Sequence, residues 1–191
     1  MLDVKTYKAM QDQYGLLGSW AIWAEETNSP TSNIGDLSIF NQPNIWQILK
    51  PDIVFVGLNI SRNAIKLPWG NFHDSSPYGK DFKLRRALLD TKWWGGYMTD
   101  IIKNYDEVDG TKVYKHIRQN PDFVQDNVKC FLKEIDTLNV KNPEIIAIGS
   151  SAHTVLTQNL ANKFKIKKIP HYSQWISPEK YKIAVTEALS L

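Results

Sequence analysis

Short β-type runs alternate with longer amphipathic stretches along this chain, and that alternation predicts its architecture. Residues 52–57 are a continuous apolar, β-branched run ended by Gly57, the pattern of a buried strand. Residues 97–102, after a Gly95-Gly96 turn, read as a second strand. Residues 145–148, ended by Gly149, read as a third, and residues 165–169 as a fourth. Helical spacing fills the intervals. Residues 81–90 turn Phe82, Leu84, Ala87 and Leu88 inward. Asn120 and Pro121 open a helix with proline at its first position, followed by Phe123, Val124, Val128, Phe131, Leu132 and Ile135. That spacing puts Cys130 in or near the core. Residues 150–163 form the next helix. Ser177-Pro178 opens the last one, which carries Tyr181, Ile183, Ala184, Ala188 and Leu189.

The N-terminal quarter reads differently. Residues 2–26 suggest one amphipathic helix carrying Tyr7, Met10, Tyr14, Leu17, Ile22 and Trp23, with Gly15 and Gly18 as weak points. Residues 27–51 are rich in Asn, Ser, Pro and Thr and read as a loop from which Ile45, Trp46 and Ile48 pack down. Residues 60–80, with Pro68, Trp69, Gly70, Phe72 and Pro77, form a long irregular loop, and loops of that length are often functional. Strands separated by helices imply parallel pairing through right-handed crossovers. The expected fold is α/β: a single domain over residues 1–191, built as a three-layer α/β/α sandwich around a mainly parallel four-stranded sheet. Residues 1–50 supply the N-terminal helix and loop, and residues 51–191 the core.

Composition narrows the function. The 191 residues suit one domain, and 42% apolar with 23% charged residues is ordinary for a globular chain. The single cysteine excludes a disulfide framework, a thiolate zinc site and a four-cysteine iron–sulfur cluster within the chain. No H-E-x-x-H, G-x-x-x-x-G-K-[ST] or paired His/Cys spacing occurs, so neither a metal nor a cofactor is expected. No apolar run approaches the roughly 18 residues of a membrane span, and no basic-then-apolar leader opens the sequence. A soluble, cytoplasmic monomer is the expectation. The Trp93-Trp94 pair stays open as core or contact surface.

Net charge is only +3. Its distribution says more. Lys163, Lys165, Lys167 and Lys168 crowd the approach to residues 170–173, and Lys80, Lys83, Arg85 and Arg86 form a second cluster. Two such clusters can hold a phosphate backbone; solvated faces are the plain alternative. Two polar segments follow strand-like runs: Gly57-Leu58-Asn59-Ile60-Ser61 and Pro170-His171-Tyr172-Ser173. Ligands of open parallel sheets bind at the carboxyl ends of strands, so Asn59 and His171 can face one cleft.

VFVGLN, a middle Tyr97-Met98-Thr99-Asp100-Ile101-Ile102-Lys103 strand, IIAIG and a late His-x-Ser occur in the order found in the uracil-DNA glycosylase superfamily. The chain resembles that superfamily over residues 52–190, its first motif being closest to the mismatch-specific uracil/thymine branch. The resemblance implies a uracil-DNA glycosylase-like fold and a monofunctional DNA glycosylase that binds an extruded base and hydrolyses the N-glycosidic bond in DNA repair. Its partner would be DNA carrying a damaged or mismatched base. His171 would donate to the departing base, and Asn59 would position the attacking water. Phe72, Asp100, Gly57, Leu58 and Ser173 would hold the base, with Trp69 and His73 as alternatives for stacking. Ser61, Arg62, Lys167, Lys168 and Tyr172 would line the DNA backbone. Ile60 and Tyr172 stand where the family has proline, and Asp100 where some branches read uracil with Asn. An ionised Asp only accepts hydrogen bonds, which suits a base other than plain uracil. A member of the fold that binds without cleaving, and an unrelated small-molecule hydrolase or ligand-binding α/β protein, are the alternatives. Each site residue also has a structural reading: Asn59 closing a turn, His171 capped within its loop, Asp100 capping a turn and Phe72 in the core.

Overall fold

The structure, a computed structural model, describes residues 2–60, 65–76 and 78–190. It is an α/β fold with a five-stranded, mostly parallel sheet and six α-helices among these residues. In chain order these are α1 (Val4–Tyr14), β1 (Ser19–Trp20), β2 (Lys50–Asn59), α2 (Phe82–Leu88), β3 (Gly96–Ile102), α3 (Gly110–Gln119), α4 (Pro121–Thr137), β4 (Glu144–Ile148), α5 (Ser150–Leu160), β5 (Ile166–Ile169) and α6 (Pro178–Ser190). The sheet order is β1-β3-β2-β4-β5. β3, β2, β4 and β5 run parallel, and β1 is antiparallel to β3.

Side-chain alternation explains the layers. Ile53 and Phe55 turn to one face of β2, where they join Leu84 and Leu88 of α2 and Tyr181, Val185 and Leu189 of α6. Val54 and Val56 turn to the other, against Tyr7 and Met10 of α1, Phe131 and Ile135 of α4 and Val155 and Leu156 of α5. Burial on both faces is why the strands read as unbroken apolar runs.

The fifth strand corrects the expected long N-terminal helix. Asp3 caps α1 by accepting from Thr6 N (2.8 Å), but the helix stops at Tyr14. At Gly18 the backbone runs so close to β3 that a Cβ would lie 2.2 Å from the Tyr97 hydroxyl. The chain then runs extended along the open edge of β3, pairing Ser19 with Met98 and Trp20 with Tyr97. Trp20, Ala21, Ile22 and Trp23 are all buried, a continuous pattern rather than a helical stripe.

Other expectations need smaller corrections. The loop of residues 27–51 contains two 3-10 turns, Leu37–Asn41 and Ile45–Gln47, and β2 already begins at Lys50. Ile45 is buried, but Ile48 is exposed. α3 has no counterpart in the sequence reading. Cys130 is exposed, because it lies on the outer face of α4 beside inward Phe131. Ile183 is likewise exposed on α6, whereas Trp93 is buried.

A charged network crosses the core between β3 and α4. Glu134, fully buried, accepts from the Tyr97 hydroxyl (2.6 Å) and pairs with the Lys103 ammonium (2.5 Å). Lys103 Nζ also donates to Thr99 Oγ1 (2.7 Å) and the Asp100 carbonyl (2.8 Å), while its backbone N–H donates to Asn127 Oδ1. Burial, with the negative Glu134 alongside, pushes the Tyr97 hydroxyl well above its ordinary pKa.

Candidate functional site

β2, β4 and β5 end side by side, and the connections leaving β2 and β4 go to opposite sides of the sheet. That reversal opens a crevice at the carboxyl ends of the strands, where ligands of such sheets bind. Its floor is Gly149, at φ +87° between β4 and α5, whose N–H donates to Ile169 O (2.9 Å). A Cβ here would lie 3.1 Å from His171 Cβ, so the His171 loop rests directly on this glycine. Asn59 ends β2 on one side of Gly149, and His171 follows β5 on the other. Two strand spacings put their backbones roughly 10 Å apart.

The hydrogen bonds of Asn59 fix its side chain. Nδ2 donates to the carbonyls of Glu107 (2.8 Å) and Tyr105 (3.2 Å), with a longer contact to Ile60 O. Carbonyls accept only, so that end of the amide must be the NH2 group. Oδ1 is the free end and receives no hydrogen bond among the described residues.

His171 is fixed too. Its Nδ1 receives the Ser173 N–H (3.1 Å) and lies 2.7 Å from Ser173 Oγ. A nitrogen that accepts a backbone N–H carries no proton, so the neutral ring holds its hydrogen on Nε2. Burial lowers the His171 pKa, which favours that neutral form. Tyr172 stacks on the imidazole with centroids 4.5 Å apart, a contact that proline at this position would not make.

Gly57, Phe72 and Asp100 meet one level below Asn59. Gly57 pairs with Asp100 across β2 and β3. A Cβ at Gly57 would lie 2.3 Å from Asp100 Oδ1 and 3.4 Å from Phe72 Cζ, so only glycine fits under the carboxylate. Asn71, which the sequence reading missed, donates to Asp100 Oδ2 (2.9 Å) and to Leu17 O, and its own oxygen accepts the Phe72 N–H. Phe72 (7% exposed, φ 62°) and Asp100 (4%) are therefore covered in this structure. Leu58 is half-buried against the opposite apolar layer.

Burial raises the Asp100 pKa to about 6, against the opposing pull of the Asn71 hydrogen bond and Lys103. The folded state thus binds this proton more tightly than the unfolded chain does, and the associated stability is complete below about pH 4. It is lost as pH rises through 6 and amounts to about 2–3 kcal/mol. Asp100→Asn is expected to gain that much relative to wild type between pH 4 and pH 7, measured by urea unfolding at each pH. Parallel pH profiles for the two proteins would exclude this.

Several of the clustered cations that could have held a phosphate backbone are committed elsewhere. Lys83 donates to Gln174 O and Ile176 O, and Arg85 to the carbonyls of Ala24, Pro30 and Ser32. Arg86 pairs with Glu26. These cations hold loops together, which corrects their reading as a phosphate cluster. Lys167 pairs with Glu144 (3.2 Å) and donates to Leu189 O, so it too is withdrawn from solvent. Lys163 and Lys165 lie at the amino end of β5, away from the crevice, while Lys168 is exposed. Ser61 and Arg62 lie outside the described residues. Trp69 and His73, the alternatives to Phe72, are both buried.

The loop after His171 carries a residue that the sequence reading passed over. Trp175 is 99% exposed, although its loop is braced from several sides. Gln174 N donates to His171 O, Ile176 N to Gln174 O, the Tyr181 hydroxyl to Pro170 O, and Lys83 clamps the carbonyls on either side of Trp175. A lone Trp among polar neighbours, outside any apolar period, was the available signal.

Among the described residues no three His, Cys, Asp or Glu side chains are grouped to hold a metal, and no helix is long and apolar enough to cross a membrane. Two hollows, of about 630 and 510 Å3, lie at the amino end of β2 and between α3, α4 and α5; neither is lined by the crevice residues. No protein-family model, curated protein or solved structure matches the chain. The site must be read from its geometry.

Proposed function

We propose that this chain is a DNA base glycosylase-like protein of the uracil-DNA glycosylase fold. One arrangement carries the reading: Asn59, whose amide keeps Oδ1 as an acceptor, and His171, whose neutral ring keeps Nε2–H as a donor, stand at the carboxyl ends of the strands on either side of β4. That pair matches hydrolysis of a base–sugar bond. Water held by Asn59 adds to C1′ of the sugar, and the C–N bond breaks with its electron pair staying on the base. The negative charge spreads to a base carbonyl, which His171 Nε2–H stabilises by donation. The proton of the water passes to solvent, because Asn59 is no base. A donor already in place where charge develops lowers the barrier without reorganisation. Trp175 supports the reading from outside the crevice: an exposed aromatic ring on a backbone-braced loop suits stacking on a base or wedging between base pairs.

Base binding without cleavage is the second reading. Its support is that Ile60 and Tyr172 stand where the family has proline and Asp100 where some branches read uracil with Asn, departures at the residues that would serve catalysis. A panel of oligonucleotides containing uracil, mismatched thymine, hypoxanthine, xanthine or an alkylated base, single- and double-stranded, separates the two when scored by alkaline cleavage. Release by wild type, abolished in Asn59→Ala, is the expected outcome. DNA retention at low salt with no release from any substrate would leave the binding reading. Absence of both would favour a small-molecule protein.

A further inference from the structure

We propose that helix α3 and the groove between α3, α4 and α5 form a phosphate-tracking surface that carries a nucleic-acid backbone past the crevice. The proposal rests on the nucleic-acid reading above and specifies where the strand flanking the target base would run.

α3, Gly110–Gln119, contains Lys112, Lys115 and Arg118 and no carboxylate. Thr111, Tyr114, Lys115 and Arg118 fall at i, i+3, i+4 and i+7, one exposed face of the helix. Lys112 is partly neutralised by Glu107 (3.5 Å), whereas Lys115 and Arg118 have no acidic partner among the described residues. Arg118 instead lies over the Tyr114 ring, 5.9 Å from its centroid, as a cation beside an exposed aromatic face. This interleaving of cation and aromatic suits a backbone with bases attached. It contrasts with Lys83, Arg85 and Lys167, whose charges are spent on carbonyls and on Glu144.

The groove beside this helix, about 510 Å3, continues the same chemistry. Tyr114, Arg118, Gln125, Thr154, Gln158 and Asn159 line it, and no carboxylate does. α5, which forms one wall, contains no acidic residue along its length, and it starts at the crevice floor. Thr154 is thus roughly one and a half helical turns from Gly149. Asp122 and Asp126 of α4 each adjoin a lining residue in sequence but are not part of the lining, and Asp126 is paired with Lys129. Within the groove Thr154, Gln125 and Asn159 already donate to Ser150 O, Asn159 Oδ1 and Val155 O, so the attraction for an anionic chain comes from the two cations Lys115 and Arg118 beside a lining without carboxylates.

α3 is also tied to the site mechanically. His116, on its inner face, stacks on Tyr105 at 4.2 Å and 10°, and the carbonyl of Tyr105 accepts from Asn59 Nδ2. A strand seated on α3 therefore bears on the clasp that orients Asn59.

The test uses the full chain and a fluorescently labelled DNA duplex, with affinity measured by anisotropy across a salt series. Lys115→Glu/Arg118→Glu is expected to weaken binding about tenfold or more and to reduce the slope of log affinity against log salt by about two. Lys5→Glu/Lys8→Glu on α1 makes the same change in net charge and is expected to have little effect on either quantity. All four positions are exposed, and a circular-dichroism melt checks that each variant is folded. Equal affinity and slope for the two variants would overturn the proposal, whatever the result of the base-release assay. Weakened binding of the α3 variant with no base release by wild type would uphold the surface and reject the glycosylase reading. A wild type that fails to bind DNA at low salt would reject both.

Discussion

Glu134→Ala is expected to destabilise the protein by about 3–5 kcal/mol and to lower its thermal midpoint by roughly 10 °C. Glu134 is fully buried, and its carboxylate meets two groups that cannot turn to water, the Tyr97 hydroxyl and the Lys103 ammonium. Removing it leaves the buried Lys103 ammonium hydrogen-bonded only to Thr99 Oγ1 and the Asp100 carbonyl, with no directly paired carboxylate, and leaves a phenol without its acceptor. The cost comes chiefly from that orphaned charge. Lys103→Met combined with Glu134→Leu is therefore expected to recover most of the loss, because a packed apolar pair avoids desolvating two ions. Urea unfolding of Lys103→Met, Glu134→Leu and the double variant forms a cycle that measures the coupling. A Glu134→Ala protein within about 1 kcal/mol of wild type would show that the pair carries no such coupling.

His171→Ala is expected to slow base release by about 100- to 1000-fold, the usual effect of removing one preorganised donor to a developing anion. In the proposed reaction the imidazole would act as a neutral donor, since Nδ1 is occupied by the Ser173 N–H and burial opposes protonation. Single-turnover rates should therefore stay level as pH falls through the range where an exposed histidine becomes charged. Ser173→Ala should cost much less, because its backbone N–H, which sets the tautomer, remains. Near-wild-type release by His171→Ala would remove this residue from the chemistry.

Much of the framework was legible in the sequence because burial on both faces writes strands as apolar runs: β2, β4 and β5 appear where their composition places them. β1 was hidden because it is two residues long and lies within an aromatic stretch that also satisfies helical spacing. α3 was hidden for the opposite reason, since only Val113 and Ile117 are apolar in a helix whose remaining residues face water or the Tyr105 and Phe123 rings. The positions of Asn59 and His171 at strand ends followed from topology. What each cation does could not follow, because a sequence counts charges without recording which carbonyls they hold. Lys83 and Arg85 resemble phosphate ligands in one dimension and are loop braces in three. Asn71 escaped notice because its importance lies in its contacts with Asp100, Leu17 and the Phe72 backbone, which a sequence does not record.

On the proposed glycosylase reading, the clasp on Asn59 constrains how the protein could be improved as a catalyst. An aspartate at position 59 would offer a true proton acceptor for the attacking water, and the obvious route to a faster enzyme is that single replacement. A carboxylate, however, cannot donate to the Tyr105 and Glu107 carbonyls, and it would set negative charge against two oxygens that now accept hydrogen bonds. Greater reactivity and an intact loop are in conflict at one position. A directed-evolution path to the carboxylate has to rebuild residues 103–109 first, so that the gain in rate is reached through sequence changes that bring no catalytic benefit of their own.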